Sequence, residues 1–198
     1  SMATYLTKDN ILFSNDAFGQ HLATDKPFND QVDQCVLFSE AIKYYANILT
    51  PFSAILRKKL GEVLALNLPI DMIATSHGVI WRENPTQIVE KYALWANDYQ
   101  ENQITILYDT MWNGTKALAE AIAEGISMED PDVIVKVHNI AKSDDNDLIT
   151  EVFRSKTVLI GSPTVSNSIL HSVAGFLHLV KELKFKGKKA AAFGCYGW

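Results

Sequence analysis

Cysteine is scarce in this chain of 198 residues, with Cys35 and Cys195 the only two. A pair that far apart builds no disulfide framework, and a reducing compartment suits it better than an oxidising one. Positive charge is also short, 18 Lys and Arg against 23 Asp and Glu. The shortfall is shared, 8 against 11 in residues 1–100 and 10 against 12 in residues 101–198. Neither half therefore offers the cationic face that nucleic acid or an anionic membrane needs. No apolar run approaches the length of a transmembrane helix. No leader-like stretch opens the chain either, and Ser1-Met2-Ala3 reads as an interior start or as a residue left ahead of an initiator Met. What remains is an ordinary globular mixture, 47% apolar and 21% charged, long enough for one large domain or two small ones.

Periodicity divides the chain. Thr4-Tyr5-Leu6 and Ile11-Leu12-Phe13 flank the turn-forming Lys8-Asp9-Asn10, which predicts a hairpin. Val32, Cys35, Val36, Ile42, Tyr45 and Leu49 recur mostly three to four apart, predicting an amphipathic helix over 31–49. Pro51 interrupts it or opens a second helix towards Leu66. A buried strand is expected over 70–74, then a helix capped by Asn84 with Pro85 at its first position, ending near Tyr99. Residues 100–103 form a polar joint. Beyond it strands at 103–109, 132–138, 156–161 and 188–194 alternate with helices at 115–126, 144–154 and 168–183. Leu118 and Ile122, Leu148 and Val152, and Leu170, Val173, Leu177 and Val180 are the expected inward faces of those helices. Such alternation implies a doubly wound parallel sheet with right-handed crossovers, whose ligand lies at the carboxyl ends of the strands.

The loops at those ends are the unusual ones. Asp109-Thr110-Met111-Trp112-Asn113-Gly114-Thr115 opens a helix with hydroxyls, an amide and a glycine, suited to a phosphate. It has neither the lysine of a nucleoside-triphosphate loop nor the three glycines of a dinucleotide loop, so a single phosphate monoester fits best. Taken alone, it is equally a helix-capping turn. Gly161-Ser162-Pro163-Thr164-Val165-Ser166-Asn167 is a tight turn that aims amides at the edge of a planar ligand, or else an ordinary connection. Gly194-Cys195-Tyr196-Gly197-Trp198 sets two aromatic faces in a glycine turn, where they can stack on a conjugated ring.

Together, Thr-Met-Trp-Asn-Gly-Thr after the first strand, Gly-Ser-Pro-Thr after the third and Tyr-Gly-Trp after the fourth resemble the FMN domain of flavodiiron proteins. The resemblance covers 103–198 and implies a flavodoxin-like α/β fold short of its last strand and helix. It also implies FMN contacts from Thr110, Met111, Trp112, Asn113, Gly114 and Thr115, from Ser162, Pro163, Thr164, Ser166 and Asn167, and from Gly194, Cys195, Tyr196, Gly197 and Trp198. Cys195 reads as a small packed residue, with a redox thiol as the alternative.

Asp16 and His77 draw little notice by composition, since a lone Asp is usually a turn former and a lone His usually packed or solvated. Their contexts change that. Leu12-Phe13-Ser14-Asn15-Asp16-Ala17-Phe18-Gly19-Gln20-His21 and Ala74-Thr75-Ser76-His77-Gly78-Val79-Ile80-Trp81-Arg82 resemble segments of the metallo-β-lactamase-like αββα domain that precedes FMN in the same family. The resemblance makes residues 1–99 the C-terminal part of that domain. It makes Asp16 the carboxylate bridging two irons and His77 a terminal ligand, with His21 a neighbour of the site. Two ligands do not hold a di-iron centre, so this stretch alone is expected to be inactive at iron and to expose apolar surface.

The family resemblance implies a cytoplasmic oxidoreductase taking electrons from rubredoxin or a fused rubredoxin-like domain, through FMN, to a di-iron site that reduces NO to N2O, O2 to water, or both. It implies a head-to-tail homodimer or a dimer of dimers, with no nucleic-acid or membrane partner. Other readings stay open: an FMN electron carrier with no working metal site, a zinc hydrolase on the same lactamase-like fold, or a non-catalytic assembly module. The run Lys181, Lys184, Lys186, Lys188 and Lys189 reads as a solvated helix end, or as a docking patch for an acidic electron donor.

Overall fold

Residues 2–196 are described by a computed structural model, and the chain divides into two units, Ser1–Asn97 and Asp98–Trp198. In the first, the expected hairpin forms. β1 (Thr4–Leu6) and β2 (Ile11–Asn15) pair antiparallel, and Asn10 takes the left-handed turn (φ 53°) that a short amide side chain tolerates. β3 (Met72–Thr75) joins β2 in parallel to complete a sheet of order β1-β2-β3. Register slips between Phe13 and Asn15, because Ser14 turns inward to donate to Ala17 O at 2.7 Å. Such a bulge bends the strand end and re-aims the next residue, Asp16.

The helix expected over 31–49 is α1 (Gln34–Tyr44), whose N-cap Asp33 accepts from Val36 N, running into a π-helical turn at Tyr45–Leu49. Its buried stripe is Leu37, Ala41, Ile42, Tyr44 and Tyr45, while Cys35 and Val36 face outward. The buried row of α1 is therefore set by Leu37, Ala41 and Tyr44, and the π turn shifts the face only beyond Tyr44. Pro51 lies in a 3-10 turn that opens α2 (Ser53–Leu64). α3 (Thr86–Trp95) follows Pro85 and stops four residues short of expectation. Ile88, Val89, Tyr92 and Trp95 form its buried face, and Tyr92 packs on Phe18 and Tyr45 with ring centroids 4.8 and 5.1 Å away. Phe52, Ile55 and Leu66 are more than half exposed.

The second unit is a parallel sheet of β4 (Glu101–Tyr108), β5 (Ile134–Asn139), β6 (Ser155–Gly161) and β7 (Lys189–Phe193), in the order β5-β4-β6-β7. α4 (Gly114–Glu129), α5 (Asp145–Arg154) and α6 (His171–Leu183) connect the strands. The order reverses between β4 and β6, so the crevice lies beyond their carboxyl ends. Ile106, Tyr108 and Ala119 pack with Ile122, Ile126, Val135 and Leu159 on one side of β4. Leu148 and Val152 of α5 are buried as expected, but Leu118 and Leu177 are exposed, and Ala119 and Phe176 take the inward positions. α6 starts three residues late. Val165 and Ser168 exchange hydrogen bonds across Ser166 and Asn167, both left-handed, the mark of a two-residue type I′ turn.

Candidate functional site

The loops after β4, β6 and β7 are stitched together by their backbones. Asp109 N donates to Gly161 O at 3.1 Å, Ser162 N to Phe193 O at 3.1 Å and Thr164 N to Cys195 O at 2.9 Å. Asp109 ties the first loop to the start of α6, accepting from Thr110 N at 2.7 Å through one oxygen and from the Ser172 hydroxyl through the other. Neither Asp109 nor Ser172 stands out in sequence as a loop anchor, because Ser172 is 63 residues away. Close approach explains the glycines. A β-carbon on Gly194 would lie 1.9 Å from Ser162 O, so only a bare backbone lets the third loop lie on the second.

The head of α4 is prepared for an anion. Asn113 sits at its N-cap in the left-handed region (φ 65°) and makes no side-chain cap, which leaves the first amides of a 16-residue helix unclaimed by a cap. The hydroxyls of Thr110 and Thr115 are buried without a partner. Unmet donors of this kind are costly, and an acceptor placed at the helix end relieves them. Met111 is partly exposed, and Trp112 and Tyr196 are each 87% exposed, far more than rings that serve a core. Orphan hydroxyls, an uncapped helix and free aromatic faces fit a flat ligand with one phosphate. Gly197 and Trp198 lie outside the described residues.

The lysine run sits elsewhere. α6 returns against the strand direction, so Lys181, Lys184, Lys186, Lys188 and Lys189 lie at the amino end of the sheet, opposite the three loops. β7 alone is 5 residues long, which separates its ends by about 13 Å at about 3.3 Å per residue. Lys188 differs from the rest of the run in being half-buried. Its ammonium donates to Phe153 O and Ser155 O, both at 2.7 Å, and to Tyr99 O at 3.3 Å. Burial pulls it down to about 8, with Asp98 opposing the shift.

In the first unit, the bulge after β2 and the turn after β3 bring together two side chains 61 residues apart: His77 Nε2 lies 3.2 Å from Asp16 Oδ1. Two donors each about 2.1 Å from a shared first-row ion, at a right angle, lie about 3 Å apart, so the pair has the spacing of adjacent metal ligands. Each is nearly half exposed. His21 packs edge-on to His77 at 5.7 Å and to Tyr44 at 4.9 Å, a neighbour of the pair and not part of it. Tyr44 is the residue sequence reasoning missed. It is the last residue of α1, and burial first, then the Asp16 charge, raises its phenol above the usual range. Among the described residues no group of three or more His, Cys, Asp or Glu side chains converges as a metal site. No helix among them is long and apolar enough to cross a membrane.

The sheet order with its loop triad defines the second unit as flavodoxin-like, and the Flavodoxin family model matches residues 106–198. The whole chain is 58% identical to an anaerobic nitric oxide reductase flavorubredoxin of Vibrio vulnificus and 57% to one of Enterobacter. It spans 40% and 41% of their lengths. Among solved structures it is similar over its full length to rubredoxin oxygen:oxidoreductase of Desulfovibrio gigas, with TM-score 0.94 and 34% identity, covering 49% of that chain. A flavodiiron protein of Giardia intestinalis gives 0.93 and 34%, with 48% of that chain covered. Over its whole length the chain is thus similar to flavodiiron proteins, and it spans about half or less of each.

Proposed function

We propose that this chain is the FMN-binding part, and one portion of the iron-binding part, of an oxidoreductase. That enzyme takes electrons from rubredoxin or a rubredoxin-like domain and reduces NO to N2O, O2 to water, or both. The observation that carries the reading is the Asp16–His77 pair, because an electron carrier of flavodoxin type has no use for two metal-spaced donors. When bound, FMN supplies electron transfer and a di-iron site supplies the reduction of the gas.

The chain's own residues bind and orient. Thr110, Thr115 and the amides of α4 hold the phosphate. Met111, Trp112, Asn113 and Gly114 shape that loop, and Trp112 and Tyr196 flank the ring. Ser162, Pro163, Thr164, Ser166 and Asn167 form the loop that would lie at the ring edge, and Gly194 and Cys195 set the third loop against it, Phe193 O and Cys195 O accepting from the amides of Ser162 and Thr164. Asp16 and His77 would be two of the side chains that hold the iron, a carboxylate and an imidazole donor. Residues 1–99 serve as the closing part of a metallo-β-lactamase-like domain and 103–198 as the FMN domain. A head-to-tail homodimer or a dimer of dimers, working in the cytoplasm, completes the reading.

The test uses the full-length protein purified anaerobically. About one FMN and two irons per subunit are expected, with rubredoxin-dependent consumption of NO or O2. FMN without iron would leave an electron carrier and remove the role given to Asp16 and His77. Zinc in place of iron would favour a hydrolase.

A further inference from the structure

Asp16 and His77 lie just past the end of the β2–β3 ladder, where Asn15 pairs with Thr75 and accepts from Ser76 N at 2.9 Å. Asn15 (φ 59°), Phe18 (φ 67°) and Gly78 (φ 77°) are left-handed, so the chain leaves regular strand geometry at both ligands. Beyond that junction a second, buried set of polar contacts joins the two segments. Gln20 is 0% exposed. A buried amide must be satisfied, and this one lies along the backbone just past His77. Its Nε2 donates to Val79 O at 3.1 Å and its Oε1 accepts from Val79 N at 2.7 Å. Its own backbone N donates to His77 O at 3.3 Å.

Sterics agree with the hydrogen bonds. A β-carbon on Gly78 would fall 1.5 Å from Gln20 Oε1, so the glutamine amide occupies the space that a side chain at 78 would need. A β-carbon on Gly19 would lie 3.3 Å from His77 O and 3.4 Å from His77 Cβ, so that backbone rests directly on the histidine. The same turn returns to the backbone of Asp16, with Gly19 N donating to the Asp16 carbonyl oxygen at 3.3 Å.

We propose that Gln20 is a positioning residue for His77: its amide grips Val79 on both backbone groups and holds the imidazole beside Asp16 before and after metal binds. The inference rests on the reading of Asp16 and His77 as iron ligands. Partners of this kind, one step removed from the metal, are worth about 10–100-fold in metal affinity.

The experiment uses the full-length protein, purified anaerobically as wild type, Gln20→Met, Gln20→Glu and Asp16→Ala. Gln20→Met keeps the length and loses both bonds. Gln20→Glu keeps the acceptor for Val79 N–H and loses the donor. Iron and FMN per subunit, the rate of iron loss to a ferrous chelator and the near-infrared ligand-field bands of the reduced protein are measured. Gln20→Met is expected to release iron about tenfold faster or more, with FMN unchanged. Gln20→Glu is expected to fall between it and wild type, with shifted ligand-field bands that general destabilisation would not produce. Wild-type release rates and bands in both variants overturn the proposal. If Gln20→Met fails to fold, Gln20→Glu decides, and wild-type behaviour there overturns it. A wild-type protein that holds no iron, or an Asp16→Ala protein that keeps its full iron, sinks the ligand reading instead.

Discussion

A β-carbon placed on Gly114 would lie 2.8 Å from the Sγ of Cys195, so the head of α4 and the loop after β7 meet with no room for one more atom. The contact makes Cys195 a packing residue and couples the phosphate end of the site to the loop that carries Tyr196. Gly114→Ala overfills it, a change that costs about 1–3 kcal/mol in a packed region. FMN affinity, read by quenching of flavin fluorescence, should fall about tenfold, and Cys195→Ala in the same chain should restore most of it. An unchanged affinity in Gly114→Ala would mean that the loops do not touch in solution.

Thr110 and Thr115 make a paired prediction. Their hydroxyls have no acceptor in the protein, so Thr→Val at either position removes an unmet donor and should leave the flavin-free protein as stable as wild type or slightly more so. The same changes should weaken FMN about tenfold while leaving riboflavin, which has no phosphate, nearly unaffected. Equal losses for both flavins would place the phosphate elsewhere.

Lys188 gives the pH dependence. Its ammonium, ordinarily near 10.5, is drawn down to about 8 by burial. Between those values the unfolded chain holds a proton that the folded chain does not. Stability from this group therefore rises with pH across that window and is level below it. The urea midpoint of wild type minus that of Lys188→Met should climb from about pH 8 to about pH 10, the span set by the shifted and the ordinary lysine values. A flat difference would show that Lys188 titrates normally.

The surface lysines yield a negative result that can be checked. Lys184, Lys186 and Lys189 are exposed at the end of the sheet away from the loops, beyond a Debye length of about 8 Å at physiological salt. Replacing all three with Ala should leave the rate of reduction by a rubredoxin donor, and its salt dependence, within about twofold, since screened charges at that range add little. A clear slowing would put donor docking at the amino end of the sheet.

The strand–helix alternation of the second unit was readable because each period is local. Apolar spacing and turn residues depend on neighbours in the chain, and the four parallel strands appear where those signals fall. The glycines and aromatics of the three loops were readable for the same reason. Inward faces were less so: Leu118 and Leu177 belong to the apolar rows of their helices, yet Ala119 and Phe176 are buried, since only the angle of a helix on its sheet decides which row turns in.

Residue type and order by themselves determined the strand–helix alternation of the second unit and the placing of its carboxyl-end loops, while Asp16 and His77 were picked out only by the resemblance of their segments. All of that is encoded over a few residues at a time. Only the tertiary structure decided that Asp16 and His77 stand 3.2 Å apart, that Gln20 grips Val79, and that Lys188 is half-buried with its ammonium on backbone carbonyls. Each of these joins groups 33 to 89 residues apart, and such distances are set by packing, which no local pattern carries.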